Sequence, residues 1–146
     1  VLILISNNSE RMKAIQTAKK FKLNILNAVH PSAIILKKAK IGKGVVLEPF
    51  AFVGYKAEIS DGVLIQERAS VEHNSVIQNG VTINPTVTIT GNCLVEKNVT
   101  IHTGAIIKNN ITIKKNSIIG AGSLVLKDIK SNVFAWGVPA NTKKKN

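Results

Sequence analysis

From Ile35 to Val125 every sixth residue is Ile, Leu or Val, sixteen positions without a break. Two residues before each stands a small or aliphatic side chain, from Ala33, Ala39 and Val45 through Cys93 to Ser123. The chain holds 45 Ile, Leu and Val among 146 residues. At that usage one phase would fill by chance at roughly 10⁻⁸, so the period is real. A helix wants apolar residues at a spacing of 3.6 and an alternating strand at 2, and neither fits. A strict six-residue repeat predicts a parallel β-helix solenoid. Each hexad is one short strand and a corner, with the large aliphatic inward and the small residue fitted into the turn. Three hexads make a coil, so 18 residues separate stacked neighbours about 4.8 Å apart. Residues 33–128 then form a little over five coils, with no insertion to leave the prism.

The stretch before the hexads has a different rhythm. Val1–Ile5 and Lys22–Leu26 read as strands, and Ser6-Asn7-Asn8-Ser9 offers helix-start chemistry. Met12, Ile15, Lys19 and Phe21, with Ala14 and Ala18, outline a short amphipathic helix between them. A strand, helix, strand unit pairs its strands in parallel and needs more sheet than two strands. With no starting Met, this predicts the end of a longer protein. The expected division is residues 1–30 as the remnant of an α/β domain, 31–128 as the β-helix, and 129–146 as a cap with a basic tail.

Composition narrows the classes. The single cysteine, Cys93, occupies a small inward position and reads as a buried thiol suited to a reducing, cytoplasmic compartment. Val1–Ile5 is too short to span a membrane and lacks the flanks of a signal peptide. Net charge is +12. A basic surface suits anionic ligands, whereas 4% aromatics and no nucleic-acid module argue against nucleic acid. The Lys143-Lys144-Lys145 tail reads as a disordered, solvated end.

Three stretches carry a family resemblance: Asn27-Ala28-Val29-His30-Pro31-Ser32-Ala33, Val71-Glu72-His73-Asn74-Ser75-Val76-Ile77, and Ile119-Gly120-Ala121-Gly122-Ser123-Leu124-Val125 followed by Trp136-Gly137-Val138-Pro139-Ala140. The chain resembles the hexapeptide-repeat acetyltransferases of the sialic-acid O-acetyltransferase and nucleotide-4-amino-sugar N-acetyltransferase family, over nearly its whole length. The resemblance implies a left-handed β-helix, although general chain rules favour right-handed crossovers. It implies an acetyl-CoA-dependent transfer to the amine of a nucleotide-linked 4-amino-4,6-dideoxy sugar. It also implies a homotrimer with sites between subunits. The family's glycine-rich nucleotide loop has its place before residue 1.

His73 lies two positions after inward Val71 and so belongs on an outward corner. An imidazole, with an ordinary pKa of about 6.5, suits removal of a proton from an attacking amine. In the resembling family this histidine acts as general base, or at least hydrogen-bonds the amine. Relatives often carry an acidic residue next, where this chain has Asn74. Gly91 follows His73 by 18 residues, hence one coil on at the same corner. Its N–H is expected to bind the thioester oxygen as negative charge develops. By resemblance the pantetheine arm meets Thr103 and Ala121, with Gly120 and Gly122 keeping the groove shallow. Pro139, Ala140 and Lys143 or Lys144 meet the adenine end. Trp136 lines that end or caps the last coil.

His30 orders the start of the first coil, and His102 is solvent-facing or a groove contact. Three histidines so placed make no metal site. Acceptors other than an amine stay open, above all a sialic-acid or other sugar hydroxyl. A non-enzymatic β-helix, such as an ice-binding surface, is the reading from another class. Its threonine ladder breaks, because Thr82 stacks on Thr100 but Thr86 meets Gly104 at the 18-residue offset.

Overall fold

The computed structural model describes residues 1–144. Seventeen two-residue strands and a longer eighteenth stack into the three faces of a left-handed parallel β-helix of about six turns. The first face runs from Ala28–Val29 up to Val133–Trp136. The second runs from Ile34–Ile35 to Leu124–Val125, and the third from Lys40–Ile41 to Thr112–Ile113. Register follows the 18-residue coil, with Thr82 on Thr100, Thr88 on Ile106 and Leu94 on Thr112.

The interior is the one the hexads describe. From Leu47 to Val125 every sixth residue is at most 2% exposed. From Val45 onward the small position is buried too, and its serines are hydrogen-bonded, Ser123 Oγ by accepting Gly137 N–H at 3.2 Å. Ser75 Oγ donates to Thr90 O at 2.9 Å and Ser117 Oγ to Lys130 O at 2.6 Å, so no polar atom is orphaned there.

Each corner turns on a residue in the left-handed region. From Lys38 to Gly122 one residue in every six has φ between 56° and 70°. Such a φ costs roughly 1–2 kcal/mol for most side chains and least for Gly and Asn. Five of these fifteen positions are Gly and five are Asn. Turns such as Gly54–Ala57 close with Ala57 N–H on Gly54 O at 3.2 Å, the pattern of a type II turn.

At the top the ladder outruns the repeat. Ile118 pairs with Phe134 and Ile113 bridges Ile129, so the last coil is 16 residues rather than 18. Ile129, 4% exposed, takes the inward place two residues early, which hides this coil from a six-residue count. Gly137 to Ala140 then cross the end of the second face. Leu124 N–H donates to Gly137 O at 3.0 Å and Ala140 N–H to Leu124 O at 2.9 Å. The Val138–Pro139 peptide is cis. Asn141–Lys144 returns antiparallel along Val133–Trp136. Lys143 and Lys144 therefore belong to a strand, not to a disordered tail, while Lys145 lies outside the described residues.

Helix α1 (Asn8–Lys20) starts as expected, with Asn7 Oδ1 accepting Glu10 N–H at 3.1 Å. Ile15 and Ala18 are buried, but Phe21 is 66% exposed and Lys19 reaches out to Asp61 at 2.6 Å. The unpredicted anchor is Arg11, fully buried. Its Nε donates to Gly62 O at 2.7 Å, Nη1 to Ile5 O and Ser6 O at 2.8 Å, and Nη2 to Thr82 Oγ1 at 2.8 Å. Burial lowers its pKa to about 10, so it stays charged at neutral pH. Val1–Ile5 and Lys22–Leu26 form no strand. They meet in one parallel step, Leu26 N–H on Val1 O at 2.9 Å and the Val1 amine on Asn24 O, too short for a ladder.

Candidate active site

The corner between the second and third faces is a column of turns one coil apart. Tyr55, His73 and Gly91 follow one another in it, because Asn74 N–H donates to Tyr55 O at 3.0 Å and Asn92 N–H to His73 O at 2.9 Å. His73 is exposed, as expected for a residue two places past inward Val71. Its ring lies against Gly91. A Cβ there would stand 2.4 Å from both Cε1 and Nε2 of His73. Below, a Cβ on Gly54 would stand 2.7 Å from the His73 backbone nitrogen. Two glycines thus hold one histidine in place. The first thing that approaches the Gly91 backbone is the imidazole itself.

Asn74 faces the ring. Its Nδ2 lies 3.2 Å from His73 Nδ1 and 3.2 Å from Asn92 Oδ1. Nε2 is left as the nitrogen free of this contact. Glu72 makes no hydrogen bond to the ring, so an amide orients the histidine where relatives often use a carboxylate. Behind this corner Cys93 is 2% exposed, with Sγ on Lys108 O at 3.3 Å, and burial pushes its thiol pKa up. It is the inert core thiol that its position suggests.

The remaining candidates stand on another edge of the second face. Thr103 and Ala121 are exposed and one coil apart, joined by Gly122 N–H on Thr103 O at 2.9 Å. A Cβ on Gly122 would have no neighbour within 4 Å, so this glycine leaves open surface. Gly120 makes room for Trp136. It is buried, and its missing Cβ would lie 2.8 Å from Trp136 Cβ. Trp136 packs on Phe134 with ring centroids 4.9 Å apart, and Lys143 Nζ lies 5.8 Å from its ring. Trp136 caps the last coil, with Pro139 and Ala140 in the crossing segment beside it. One chain therefore brings together His73, Asn74 and Gly91, and separately Thr103, Ala121 and Gly122 with the cap. It does not bring the two groups together.

His102 Nδ1 faces Asn84 Nδ2 at 3.0 Å on the Thr103 corner, away from His73. His30 Nδ1 meets Ser32 Oγ at 2.8 Å, and Ser32 Oγ accepts Phe50 N–H at 3.0 Å, which orders the first coil. Among the described residues no group of three His, Cys, Asp or Glu could hold a metal ion, and no helix is long and apolar enough to cross a membrane. A cleft of about 780 Å³ lies elsewhere, between the start of α1 and the first face at Gln66, Asn84 and Thr100. A smaller one of about 400 Å³ opens beside Asn74, lined by Lys38, Lys40, Lys56 and Glu58. Coil arithmetic could have found the latter, since Lys38 and Lys56 precede Asn74 by 36 and 18 residues.

This prism and its corner histidine define a hexapeptide transferase, and residues 92–127 match the family model of the bacterial transferase hexapeptide (six repeats). PerB from Caulobacter crescentus, solved with CoA and GDP-perosamine, is similar at 28% identity and a TM-score of 0.95, over 97% of this chain and 69% of that one. WeeI from Acinetobacter baumannii AYE is 30% identical with a TM-score of 0.93, over 98% of this chain and 70% of that one. The acetyltransferase domain of PglB from Neisseria gonorrhoeae FA1090, in complex with acetyl coenzyme A, gives 27% and 0.92 over 95% and 68%. No curated protein matches. The chain belongs to the hexapeptide-repeat, left-handed β-helix acetyltransferases of the sialic-acid O-acetyltransferase and nucleotide-4-amino-sugar N-acetyltransferase family.

Proposed function

We propose that this chain transfers acetyl from acetyl-CoA to the amine of a nucleotide-linked 4-amino-4,6-dideoxy sugar. The observation that carries the reading is His73, exposed and seated on Gly91, in a fold that superposes on PerB, a structure with CoA and GDP-perosamine bound. An amine attacking a thioester must shed a proton as the C–N bond forms, and Nε2 of His73 is the group placed to take it. For that, Nδ1 must carry the ring's proton and Asn74 must present its amide oxygen. The Asn74 and Asn92 amides face one another at 3.2 Å, so they turn as a pair and set the tautomer together. The Gly91 N–H, beside the same ring, is the donor for the thioester oxygen as it becomes anionic.

The separation of the two groups of residues supports a homotrimer. His73 and Gly91 stand on one edge of the second face, and Thr103, Ala121 and Gly122 on the other. Exposed Ile34 and Ile106, at 53% and 47%, lie on the face between them. A neighbouring prism packed there brings the histidine of one subunit to the open Gly122 surface of the next. Acetyl-CoA lies along that surface, with Pro139, Ala140 and Lys143 at its far end. The setting is cytoplasmic, where a lone buried thiol such as Cys93 stays reduced. The expected α/β remnant narrows to residues 1–27, docked on the prism through α1, because Ala28–Val29 is already the first strand of the prism.

Thiol release from acetyl-CoA, measured with a panel of nucleotide-linked 4-amino-4,6-dideoxy sugars, tests this. Turnover with at least one acceptor, lost in His73→Ala, is the expected result. Turnover only with hydroxyl acceptors overturns the amine assignment. Light scattering that reports a monomer under turnover conditions overturns the shared site.

A further inference from the structure

We infer that the cleft beneath Asn74 is a subsite for the diphosphate of the acceptor, built on the β-helix itself. Its walls are Lys38, Lys40, Lys56, Glu58, Asn74 and Val76, around about 400 Å³. Lys40 is paired with Glu58 at 2.6 Å. Lys38 and Lys56 have no carboxylate within salt-bridge distance among the described residues. Both ammonium groups flank the Tyr55 ring, at 5.7 and 5.3 Å from its centroid. Three cations against one carboxylate leave a cleft that favours an anion. Two unpaired lysines around it match a ligand with two phosphates.

Spacing chooses among anions. Lys38, Lys56 and Asn74 occupy the same turn position in three successive coils. Lys56 and Lys38 therefore stand roughly 5 and 10 Å below Asn74, at about 4.8 Å per coil. In a 4-amino pyranose linked through its anomeric oxygen, amine and diphosphate lie on opposite sides of one ring. With the amine at His73, the first phosphate reaches Lys56 and the second Lys38. The other diphosphate in the reaction, that of coenzyme A, belongs in the proposed function to the opposite end of the prism. This subsite rests on that reading for its ligand but not for its anion preference. It makes the diphosphate a requirement for recognition, so the acceptor is selected before its sugar is transferred onward.

Calorimetric titration with inorganic pyrophosphate at about 150 mM salt tests the site directly. The double variant Lys38→Asn, Lys56→Asn removes both charges and keeps the turn, because Asn fills the same position at 74 and 92. Its affinity is expected to fall about tenfold or more. The control Lys114→Asn, Lys115→Asn removes two exposed charges from a different corner and is expected to bind like wild type. In turnover, the double variant raises KM for the nucleotide-linked acceptor and leaves KM for acetyl-CoA unchanged. Equal losses in both double variants, unchanged binding in the first, or a rise in the acetyl-CoA KM instead would each overturn the subsite. Pyrophosphate binding that depends on Lys38 and Lys56 in a protein without turnover would sink the proposed reaction and leave the subsite standing.

Discussion

At the corner beneath α1 the left-handed turn positions are Gly44, Gly62 and Gly80, and at the corner carrying His73 they are Lys38, Lys56, Asn74, Asn92 and Asn110. Both corners ask for the same φ. They differ in what lies outside. A Cβ on Gly62 would stand 2.5 Å from Ile15 Cδ1 and one on Gly80 2.6 Å from Met12 Cγ, so only glycine lets the helix dock flush. Higher on the same corner, above the helix, the position passes to Asn98 and Asn116. On the His73 corner none of the described residues packs over the Lys38, Lys56 and Asn74 turns, whose side chains are exposed. The lesson is that a required φ and required space are separate demands. Glycine answers both, asparagine only the first. Gly122 is the informative exception, a glycine whose Cβ would touch nothing. Its open Cβ position is the feature on which the proposed acetyl-CoA groove rests.

The largest expected effect is on chemistry at the open corner. His73→Ala should cut turnover by roughly 10²- to 10⁴-fold with no change in thermal midpoint, since the exposed ring supports no core. Gly91→Ala should push the ring aside through its new methyl and cost up to about 10²-fold, again with little loss of stability. The covered corner should answer the other way. Gly62→Ala combines a left-handed alanine with overlap on Ile15, and should cost about 2–5 kcal/mol in urea unfolding. Arg11→Ala, which strands the carbonyls of Ile5, Ser6 and Gly62, should cost about 3 kcal/mol by the same measurement. A Gly62 variant that kept its midpoint but lost kcat would break the division between the corners.

Two smaller effects sharpen it. Gly122→Asn keeps a residue suited to the turn, so stability should hold while KM for acetyl-CoA rises; an unchanged KM would mean that the open surface is not a groove. The smallest effect is acidic. Burial pulls the Asp61 carboxyl up, but its ion pair with Lys19 and the Lys43 N–H outweigh it, and it titrates below its ordinary value. Such a group stabilises the fold above the unfolded pKa near 4 and loses that contribution as pH falls through the lower folded value. Thermal midpoints between about pH 5 and 2 should fall less steeply in Asp61→Asn.

What the chain reveals of itself depends on which force writes the signal. Inward positions are strictly apolar, so the prism and the outward placement of His73 could be read from spacing alone. The left-handed column was also visible as Gly or Asn at 62, 74, 80, 92, 98, 104, 110, 116 and 122, although Arg68 and Thr86 interrupt it. Arg11 was not legible, because a buried guanidinium satisfied by carbonyls leaves no mark in hydropathy. The last coil was hidden by its two missing residues. Gly91 was found by coil arithmetic for its backbone N–H, yet its immediate reason is room for an imidazole. Gly120 meets a demand that spacing does not show, room for Trp136.

That shortened last coil also bears on self-association. A solenoid with regular ends offers its terminal strands as templates, and identical prisms could add end to end. Here a further coil above Val133–Trp136 would start two residues out of step. The returning strand Asn141–Lys144 already occupies the backbone groups of that edge, and Gly137 and Ala140 take those of Leu124. Removing residues 137–144 should therefore turn a discrete particle into one that polymerises along its axis, visible as fibres by electron microscopy.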